Sequence, residues 1–451
     1  MKKRRFFALF LVLGLLVSLL SVPASAFEEI DVDARAALLV EKETGEILYE
    51  KNAHEKNYPA SITKLTVALL VFEAIDAGQL SLDQPITARE SAFEGLSIYG
   101  STAGIKAGEV LTVEQLLQCM LIVSANEACN ILAEWDAGSI AAFVDAMNAK
   151  AEALGCENTH FANPIGLHDS QHYTSAWDLY LITKEAMTHS DFLRITDTGD
   201  ITLPATNLSE PRSLHSTNYL ISVWRSRGYR NTDAHGIKTG STDEAGHCLV
   251  SSATKGSLSF ISVLLGCDRL TLPDNEVRTM SFYETNRLFK WAFDSFSYQT
   301  VITDDPIAKE VAVSLSKVDH VTVRPAEEIE VLLPNDVKPE ELERTVTLNA
   351  DPAEAPIAEG DVLGTMTLSH DGTVYATVDL LALNDVEASP ILVFWNHVQE
   401  FFSRTSVRIV GIVLVVLLAA LVLWRLLFRR SNRYGRSSYS RRSRGYRGRR
   451  R

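Results

Sequence analysis

The chain has 451 residues, of which 46% are hydrophobic and 22% are charged, and its formal net charge is −14. These proportions are typical of a folded globular protein and exclude a largely disordered, collagen-like or polytopic membrane chain. The first 26 residues carry four basic residues and the segment from Arg425 onward carries twelve, both without an acid, so the stretch between them sums to −30. Nucleic-acid binding is not expected of so acidic a body, because it requires Lys and Arg to neutralise phosphates.

Residues 1–26 have the three parts of a secretory signal peptide. A basic start at residues 2–5 precedes an apolar run at residues 6–20, and Ala24-Ser25-Ala26 matches a cleavage site. An uncleaved N-terminal anchor helix is the alternative. We expect the exported chain to begin near Phe27.

Hydrophobic periodicity predicts a mixed α and β domain over residues 27–298. Residues 36–40 and 47–49 flank Glu43-Thr44-Gly45-Glu46 and predict a β-hairpin. Helical periodicity and later β-type runs follow, with helices expected at 62–77, 113–123, 140–154 and 176–187 and strands at 247–254 and 258–265. Strands at both ends, with helices between them, predict one sheet covered by helices.

The remaining chain is predicted to contain a small β domain and a membrane segment. Alternating apolar residues and glycines indicate an all-β domain over residues 299–388, followed by a juxtamembrane segment at 389–406. Residues 407–428 are apolar and long enough to cross a bilayer, and an Arg-rich tail fills 429–451. Because positive charge stays on the cytoplasmic side, the tail is expected inside and the body outside. A nucleic-acid-binding or lipid-binding arm is the alternative for the tail.

The cysteines and histidines give no sign of a metal or redox centre. Five cysteines leave at least one without an intramolecular partner, and the sequence has neither a Cys-x-x-Cys pair nor a His-Glu-x-x-His motif. We therefore expect no metal and no organic cofactor.

Three short motifs occur in the order Ser61-Ile62-Thr63-Lys64, Ser124-Ala125-Asn126 and Lys238-Thr239-Gly240-Ser241. Each is weak alone, because Ser-x-x-Lys recurs at 252–255 and 314–317 and Ser-x-Asn recurs at 216–218. Their order, the spacings of 63 and 114 residues between their first residues, and their local context indicate one site.

The first motif places a nucleophile beside a base. Positions i and i+3 share a helix face, so the Lys64 amine is expected next to the Ser61 hydroxyl. A serine hydroxyl reacts only when a base accepts its proton, and a lysine is a base only when burial or a nearby cation lowers its pKa. Lys238 is the candidate second cation. The structural alternative is an N-capping serine followed by a solvated lysine.

The second motif predicts a turn that opens onto the same cleft. The Ser124 hydroxyl could relay a proton to a leaving amine, and the Asn126 amide could hold a substrate carbonyl. A helix C-cap followed by ordinary turn residues fits the local sequence equally well.

The third motif lies on a strand-like run that begins at Gly236. An exposed edge strand could pair with an extended peptide, and Gly240 would allow close backbone approach. The backbone N–H groups of Ser61 and Ser241 would then converge as an oxyanion hole. A polar surface turn between strands is the alternative.

Together the motifs resemble those of penicillin-binding proteins and serine β-lactamases. The residues at 59–64, 163–167, 172–179 and 236–240 are similar to those of low-molecular-mass D-alanyl-D-alanine carboxypeptidases. The resemblance implies an α+β catalytic domain with an antiparallel sheet and helices, a β-rich second domain and a C-terminal membrane anchor.

The resemblance also implies roles for the motif residues. Ser61 would be the acylated nucleophile and Lys64 its base. The other residues would relay protons or bind substrate, and they are Ser124, Asn126, Lys238, Thr239, Gly240 and Ser241. The implied substrate is a peptidoglycan stem peptide ending in D-Ala-D-Ala, and β-lactams would acylate the same serine. A β-lactamase, a DD-endopeptidase and a non-catalytic β-lactam sensor or wall-binding protein remain alternatives.

The sequence departs from the family pattern at two places. His235 stands where the family commonly has an Asp, and a full membrane helix replaces the usual amphipathic anchor. His172 could be read as a catalytic base, but Lys64 already supplies one, so a structural role is expected for it. The same structural role is expected for His160, His168 and His247.

Overall fold

The computed structural model describes residues 30–225, 228–303 and 309–428. The chain divides into two compact units. The first runs to Gln299 and also contains Leu332–Lys338, and the second comprises Thr300–Val331 and the chain from Pro339 onward. The predicted signal peptide and the Arg-rich tail lie outside the described residues.

A five-stranded antiparallel sheet forms the centre of the first unit. The strands of this unit are β1 (Ala36–Glu41), β2 (Ile47–Lys51), β3 (Pro85–Thr87), β4 (Val110–Thr112), β5 (Asp200–Leu203), β6 (Arg212–His215), β7 (Ala234–Thr242), β8 (Gly246–Lys255), β9 (Leu258–Cys267), β10 (Arg269–Thr271) and β11 (Val277–Thr279). The central sheet has the order β2-β1-β9-β8-β7, which confirms the predicted hairpin of β1 and β2 and the two predicted strands β8 and β9, and leaves β7 at an edge.

Helices cover both faces of this sheet. They are α1 (Lys64–Asp76), α2 (Val113–Ile122), α3 (Asn126–Ala137), α4 (Ile140–Ala153), α5 (Ala176–Ala186), α6 (Ser190–Thr196) and α7 (Met280–Ser295). Successive side chains of a strand point to opposite faces. Leu38 accordingly packs in a core with residues of α1 to α6, while Leu39 packs in a second core with Leu288 and Phe289 of α7. The predicted α+β arrangement is confirmed.

The predicted helix at residues 62–77 begins later than its periodicity suggests. A 3-10 helix, Ala60–Thr63, precedes α1, because Pro59 and the left-handed Ala60 (φ +48°) do not continue a regular α-helix. This short helix carries Ser61, so the departure from regular structure occurs at the predicted nucleophile.

The second unit contains a six-stranded sheet with the order β16-β18-β19-β14-β13-β17. Its strands are β13 (Lys309–Ser314), β14 (His320–Pro325), β16 (Glu343–Leu348), β17 (Ala353–Glu354), β18 (Val362–His370) and β19 (Thr373–Ala382). Strands β12 (Phe296–Ile302) and β15 (Ile329–Pro334) pair with each other, and the division between the two units falls within both of them. The expectation of a β-rich second domain is confirmed.

Two helices end the described chain, α8 (Pro390–Ser403) and α9 (Thr405–Phe428). An 18-residue window within residues 405–427 has a mean hydropathy of 2.8, and no other helix in the described part of the chain is long and apolar enough to cross a membrane. By length and composition, α9 fits the predicted membrane segment.

Candidate active site

Ser61 and Lys64 meet where the 3-10 helix passes into α1. Lys64 Nζ donates hydrogen bonds to Ser61 Oγ at 3.0 Å, to Asn126 Oδ1 at 2.9 Å and to the Ile165 carbonyl oxygen at 2.7 Å. An ammonium group has three N–H donors, so these three acceptors saturate its charged form. After Lys64 loses a proton, its lone pair can accept the Ser61 hydroxyl hydrogen across the same 3.0 Å. This is the contact that a general base requires.

Burial sets the protonation of Lys64. The side chain is fully buried, and this burial lowers the pKa of its ammonium group from 10.5 to about 8, with Cys129 and Glu127 acting in the opposite direction. From the sequence, either burial or a neighbouring cation could lower the pKa of Lys64. In the structure, burial is the cause that lowers it. At Lys238 both causes act: burial is the larger, and repulsion from Lys64 adds to it, so the pKa of Lys238 is held well below its usual range.

Ser124 joins the second and third motifs. It has φ +66°, in the left-handed region, between the end of α2 and the start of α3. This conformation, which a serine rarely adopts, exposes Ser124 Oγ to Lys238 Nζ, which donates a hydrogen bond to it at 3.0 Å. The turn therefore opens onto the cleft, as the sequence predicts.

Edge strand β7 lies directly against the turn that carries Ser61. A Cβ atom on Gly240 would stand 2.7 Å from the Pro59 carbonyl oxygen and 3.0 Å from the Ser61 nitrogen. Only glycine fits this approach. Gly240 thus brings the backbone nitrogens of Ser61 and Ser241 to the same wall of the cleft.

Thr217 was not expected at the site. Its hydroxyl is 2.6 Å from that of Thr239, and the neighbouring Asn218 donates to the Gly236 carbonyl oxygen. The Ser-x-Asn at residues 216–218 looked like a chance repeat, yet it supports β7 and lines the cleft. The two further Ser-x-x-Lys sequences lie away from the site, at residues 252–255 on β8 and at residues 314–317 in the second unit.

The loop at residues 163–167 supplies the third acceptor of Lys64. Asn163 Oδ1 accepts hydrogen bonds from the backbone nitrogens of Gly166 and Leu167, which fixes the loop so that the Ile165 carbonyl faces Lys64. Gly166 has φ +81°, and a Cβ there would stand 1.9 Å from the Ala60 carbonyl oxygen. A backbone carbonyl has no side-chain signature, so the sequence could not predict this contact.

His172 stabilises the turn that carries Ser61 through a chain of hydrogen bonds. Its Nδ1 accepts a hydrogen bond from the Ala162 backbone nitrogen at 3.0 Å, so the proton of the neutral ring must be on Nε2. Nε2 lies 2.7 Å from Thr63 Oγ1, which donates to the Ala60 carbonyl oxygen at 2.8 Å. Burial lowers the pKa of His172 to about 4 and keeps the ring neutral. This hydrogen-bond chain agrees with the structural role expected for His172.

The predicted site residues surround one cleft. Its cavity has a volume of about 260 Å³ and is lined in part by Ser61, Ser124, Thr239, Gly240 and Ser241. Lys64, Asn126 and Lys238 join these residues through the hydrogen bonds above. His247, expected only in a structural role, also lines the cavity. The described residues contain no group of three or more His, Cys, Asp or Glu side chains suited to a metal ion.

Family profiles match most of the chain. The profile described as D-alanyl-D-alanine carboxypeptidase matches residues 23–269, and that of the penicillin-binding protein 5 C-terminal domain matches residues 296–388. The D-alanyl-D-alanine carboxypeptidase DacF of Bacillus subtilis is 32% identical, over 86% of this chain and 97% of the relative. DacC of Escherichia coli is 30% identical, over 82% and 88%.

A solved structure agrees with these sequence matches. The D-alanyl-D-alanine carboxypeptidase DacD from Francisella tularensis superposes with a TM-score of 0.63 at 27% identity, covering 80% of this chain and 95% of that one. The relatives match both the catalytic and the β-rich part of the chain. The chain therefore belongs to the D-alanyl-D-alanine carboxypeptidase family of low-molecular-mass penicillin-binding proteins.

Proposed function

We propose that this protein is a serine carboxypeptidase that removes the terminal D-alanine from peptidoglycan stem peptides ending in D-Ala-D-Ala. The observation that carries the proposal is the 3.0 Å contact between Ser61 Oγ and the buried Lys64 Nζ, whose lowered pKa makes a neutral amine available near neutral pH. Family membership supplies the substrate class.

The reaction begins when Ser61 Oγ attacks the carbonyl carbon of the D-Ala-D-Ala peptide bond and its proton passes to neutral Lys64. The resulting oxyanion is stabilised by the backbone N–H groups of Ser61 and Ser241, a type of contact worth about 10²–10³ in rate per donor. Ser124, hydrogen-bonded to Lys238, relays the proton from Lys64 to the nitrogen of the leaving D-alanine as the C–N bond breaks, so that both Lys64 and Ser124 regain their starting protonation. Free D-alanine departs, and water then hydrolyses the ester on Ser61.

Two groups on β7 hold the substrate terminus. The Lys238 ammonium group and the Thr239 hydroxyl bind the terminal carboxylate. The side-chain amide of Asn126 holds a carbonyl group of the substrate. A β-lactam presents a carboxylate and a reactive amide in a similar arrangement, so it acylates Ser61. The deep burial of Lys238 makes an anionic partner favourable, because an unpaired buried charge is costly.

A substitution at Ser61 tests the reaction. The purified full chain is incubated with a pentapeptide ending in D-Ala-D-Ala and, separately, with labelled penicillin. The wild-type protein releases D-alanine and acquires the label, and Ser61→Ala does neither. Ser314→Ala is the matched control, because Ser314 begins a Ser-x-x-Lys sequence outside the site. Covalent label on Ser61→Ala would refute the proposal.

We also propose that the protein is exported, spans the membrane once through α9 and keeps its Arg-rich tail in the cytoplasm. The apolar length of α9 and the positive charge that follows it support this orientation. The protein is expressed with a C-terminal epitope tag, and protoplasts of the host are treated with external protease. The protease should digest the body and leave the tag intact. Digestion of the tag would show that the tail lies outside, opposite to the proposed orientation.

A further inference from the structure

Glu127 is a buried acidic residue that the proposed reaction does not use. It is the second residue of α3, directly after Asn126, and only 3% of its surface is exposed. Burying a carboxylate is costly unless hydrogen bonds replace the water that it loses. The partners of Glu127 therefore indicate what its burial achieves.

The hydrogen-bond donors to Glu127 lie on one short segment, residues 100–105, which we call the cleft strap. Glu127 Oε1 accepts hydrogen bonds from Thr102 Oγ1 at 2.7 Å, from the Ala103 backbone nitrogen at 2.7 Å and from the Ile105 backbone nitrogen at 3.4 Å. Hydrogen bonds to a carboxylate are stronger than those to a neutral acceptor. Glu127 therefore fixes the cleft strap to the first turn of α3.

The cleft strap borders the catalytic cavity. Ser101 lines this cavity, as does Ser124, and the Ser101 carbonyl oxygen accepts a hydrogen bond from the Asn126 backbone nitrogen at 2.9 Å. A Cβ atom on Gly100 would stand 2.7 Å from Asn126 Nδ2. The strap thus lies directly against the side-chain amide whose oxygen accepts the hydrogen bond from Lys64.

The cleft strap has a second attachment that does not involve Glu127. Arg212 of β6 donates from Nη1 to the Ala103 carbonyl oxygen at 3.0 Å, and it forms an ion pair with the buried Glu109. Ala103 is therefore bound to α3 through its nitrogen and to β6 through its carbonyl group. Loss of the Glu127 hydrogen bonds should release the strap from α3 and leave it attached to β6.

The charge of Glu127 also reaches the catalytic base. Burial lowers the pKa of Lys64, while Cys129 and Glu127 act in the opposite direction. Burial raises the pKa of the Cys129 thiol to about 12, so this thiol is neutral at the pH values at which Lys64 titrates. Glu127 is then the acidic residue of α3 that favours the protonated form of Lys64.

The other titratable groups around the two residues do not take over this effect. Burial raises the pKa of Cys119 on α2 to about 12 and lowers the pKa of His172 to about 4, so both stay neutral between pH 6 and 9.5. Lys238 on β7 has its pKa lowered by burial and by repulsion from Lys64. A change of charge at Glu127 is therefore expected to act on Lys64.

We propose that Glu127 is a positioning residue, which holds the cleft strap against Asn126 through its hydrogen bonds and favours the protonated form of Lys64 through its charge. The two effects are separable, because the hydrogen bonds set the maximal rate of acylation and the charge sets the pH at which the neutral base forms. This inference rests on the proposed carboxypeptidase function.

Glu127→Gln removes the charge and keeps an oxygen that can accept the same three hydrogen bonds. The second-order rate of acylation by labelled penicillin is measured with the purified full chain from pH 6 to 9.5. Without the negative charge Lys64 loses its proton at lower pH, so the rate at pH 7 should be roughly two to four times that of the wild-type protein. At pH 9.5 the two rates should agree within about twofold.

Two further variants remove hydrogen bonds. Thr102→Val keeps the carboxylate, so the midpoint of its pH profile should match that of the wild-type protein, while its rate at pH 9.5 should fall roughly threefold through the loss of one hydrogen bond. Glu127→Ala removes all three hydrogen bonds, and its rate at pH 9.5 should fall at least about tenfold.

Glu134→Gln is the matched control. Glu134 lies on the same helix two turns further on and accepts a hydrogen bond from Ser91 Oγ at 3.0 Å, so both the midpoint and the rates should equal those of the wild-type protein. A wild-type midpoint in Glu127→Gln, or wild-type rates in both Thr102→Val and Glu127→Ala, overturns the inference while acylation of the wild-type chain still supports the proposed function. Absence of acylation of the wild-type chain at every pH overturns the proposed function instead.

Discussion

Lys64 must lose a proton before it can accept one from Ser61, and its pKa of about 8 sets the pH range in which this happens. Because the neutral amine is the base, the acylation rate should rise as pH increases through about 8 and level off above it. Lys64→Arg keeps the positive charge but stays protonated, so it should lower the rate by about 10²–10⁴.

The second-order rate of acylation by labelled penicillin, measured from pH 6 to 9.5, checks both expectations. Lys106→Arg is the control, since Lys106 is an exposed lysine away from the catalytic hydrogen bonds. A pH-independent rate, or an active Lys64→Arg protein, would show that another group takes the proton.

His172 is expected to act through the Ser61 turn and not on the substrate. His172→Phe keeps a ring but loses the hydrogen bonds to Ala162 and Thr63, so the turn should lose its fixed position. We expect kcat to fall roughly tenfold, corresponding to one or two hydrogen bonds, with KM nearly unchanged. His172→Gln, whose amide supplies both a donor and an acceptor, should recover part of the loss.

A double-variant comparison separates this role from general instability. Thr63→Val interrupts the same hydrogen-bond chain, so the double variant should be no slower than the slower single variant. Additive losses would mean that His172 and Thr63 act independently. Since the pKa of His172 is about 4, its titration should not contribute to the activity profile between pH 6 and 9.

At the scale of elements, local sequence pattern predicts most of the catalytic fold. The apolar periodicity of residues 113–123 predicts α2 (Val113–Ile122) to within one residue. A capping box formed by Thr112 and Gln115 begins that helix. The strand-like run that begins at Gly236 indicated β7, which begins two residues earlier, at Ala234. These features depend on residues close in sequence, which is why periodicity and capping reveal them.

Other parts of the site depend on contacts between distant segments. The Ile165 carbonyl is 101 residues from Lys64, and Thr217 meets Thr239 across 22 residues. The left-handed Ala60 and Ser124 are residue types that give no warning of that conformation. The motif serines and lysines were therefore predictable, whereas the backbone that orients them was not.

The approach of β7 to the Ser61 turn leads to a prediction about two elements. Gly240→Ala would place a methyl group 2.7 Å from the Pro59 carbonyl oxygen and would push the strand away from the turn. The two oxyanion donors would then separate, so penicillin acylation should slow by about 10²-fold or more. Circular dichroism should show an unchanged content of helix and strand.

Gly411→Ala is the matched control, because a Cβ at Gly411 meets nothing within 4 Å. Its acylation rate should equal that of the wild-type chain. A Gly240→Ala protein with the wild-type rate would show that this close approach is not needed for acylation.

At the scale of the whole molecule, two C-terminal helices bear on membrane attachment. Helix α9 has 24 residues and a length of about 36 Å, sufficient for a hydrocarbon core of about 30 Å. Helix α8 exposes large apolar side chains, among them Ile391, Phe394, Trp395 and Phe402. The sequence predicts a membrane helix where the family usually has an amphipathic anchor. The structure contains both kinds of helix: α8, which exposes apolar side chains, and the long apolar helix α9.

Two truncations separate the contributions of these helices. A chain that ends at Ser389 should appear in the soluble fraction and keep its penicillin acylation rate within about twofold, since the catalytic residues all precede it. A chain that ends at Arg404 keeps α8 and should divide between the soluble and membrane fractions, because an interfacial helix binds reversibly.

Substituting the aromatic pair of α8 tests the second expectation. Phe394→Ser with Trp395→Ser should move the chain that ends at Arg404 into the soluble fraction, because about 0.8 kcal/mol is lost for each apolar carbon withdrawn from the bilayer. The same pair in the full chain should leave it in the membrane fraction, held by α9. If the chain that ends at Ser389 stays in the membrane fraction, an uncleaved segment at residues 1–26 is the anchor, and its N-terminal sequence would begin at Met1 instead of Phe27.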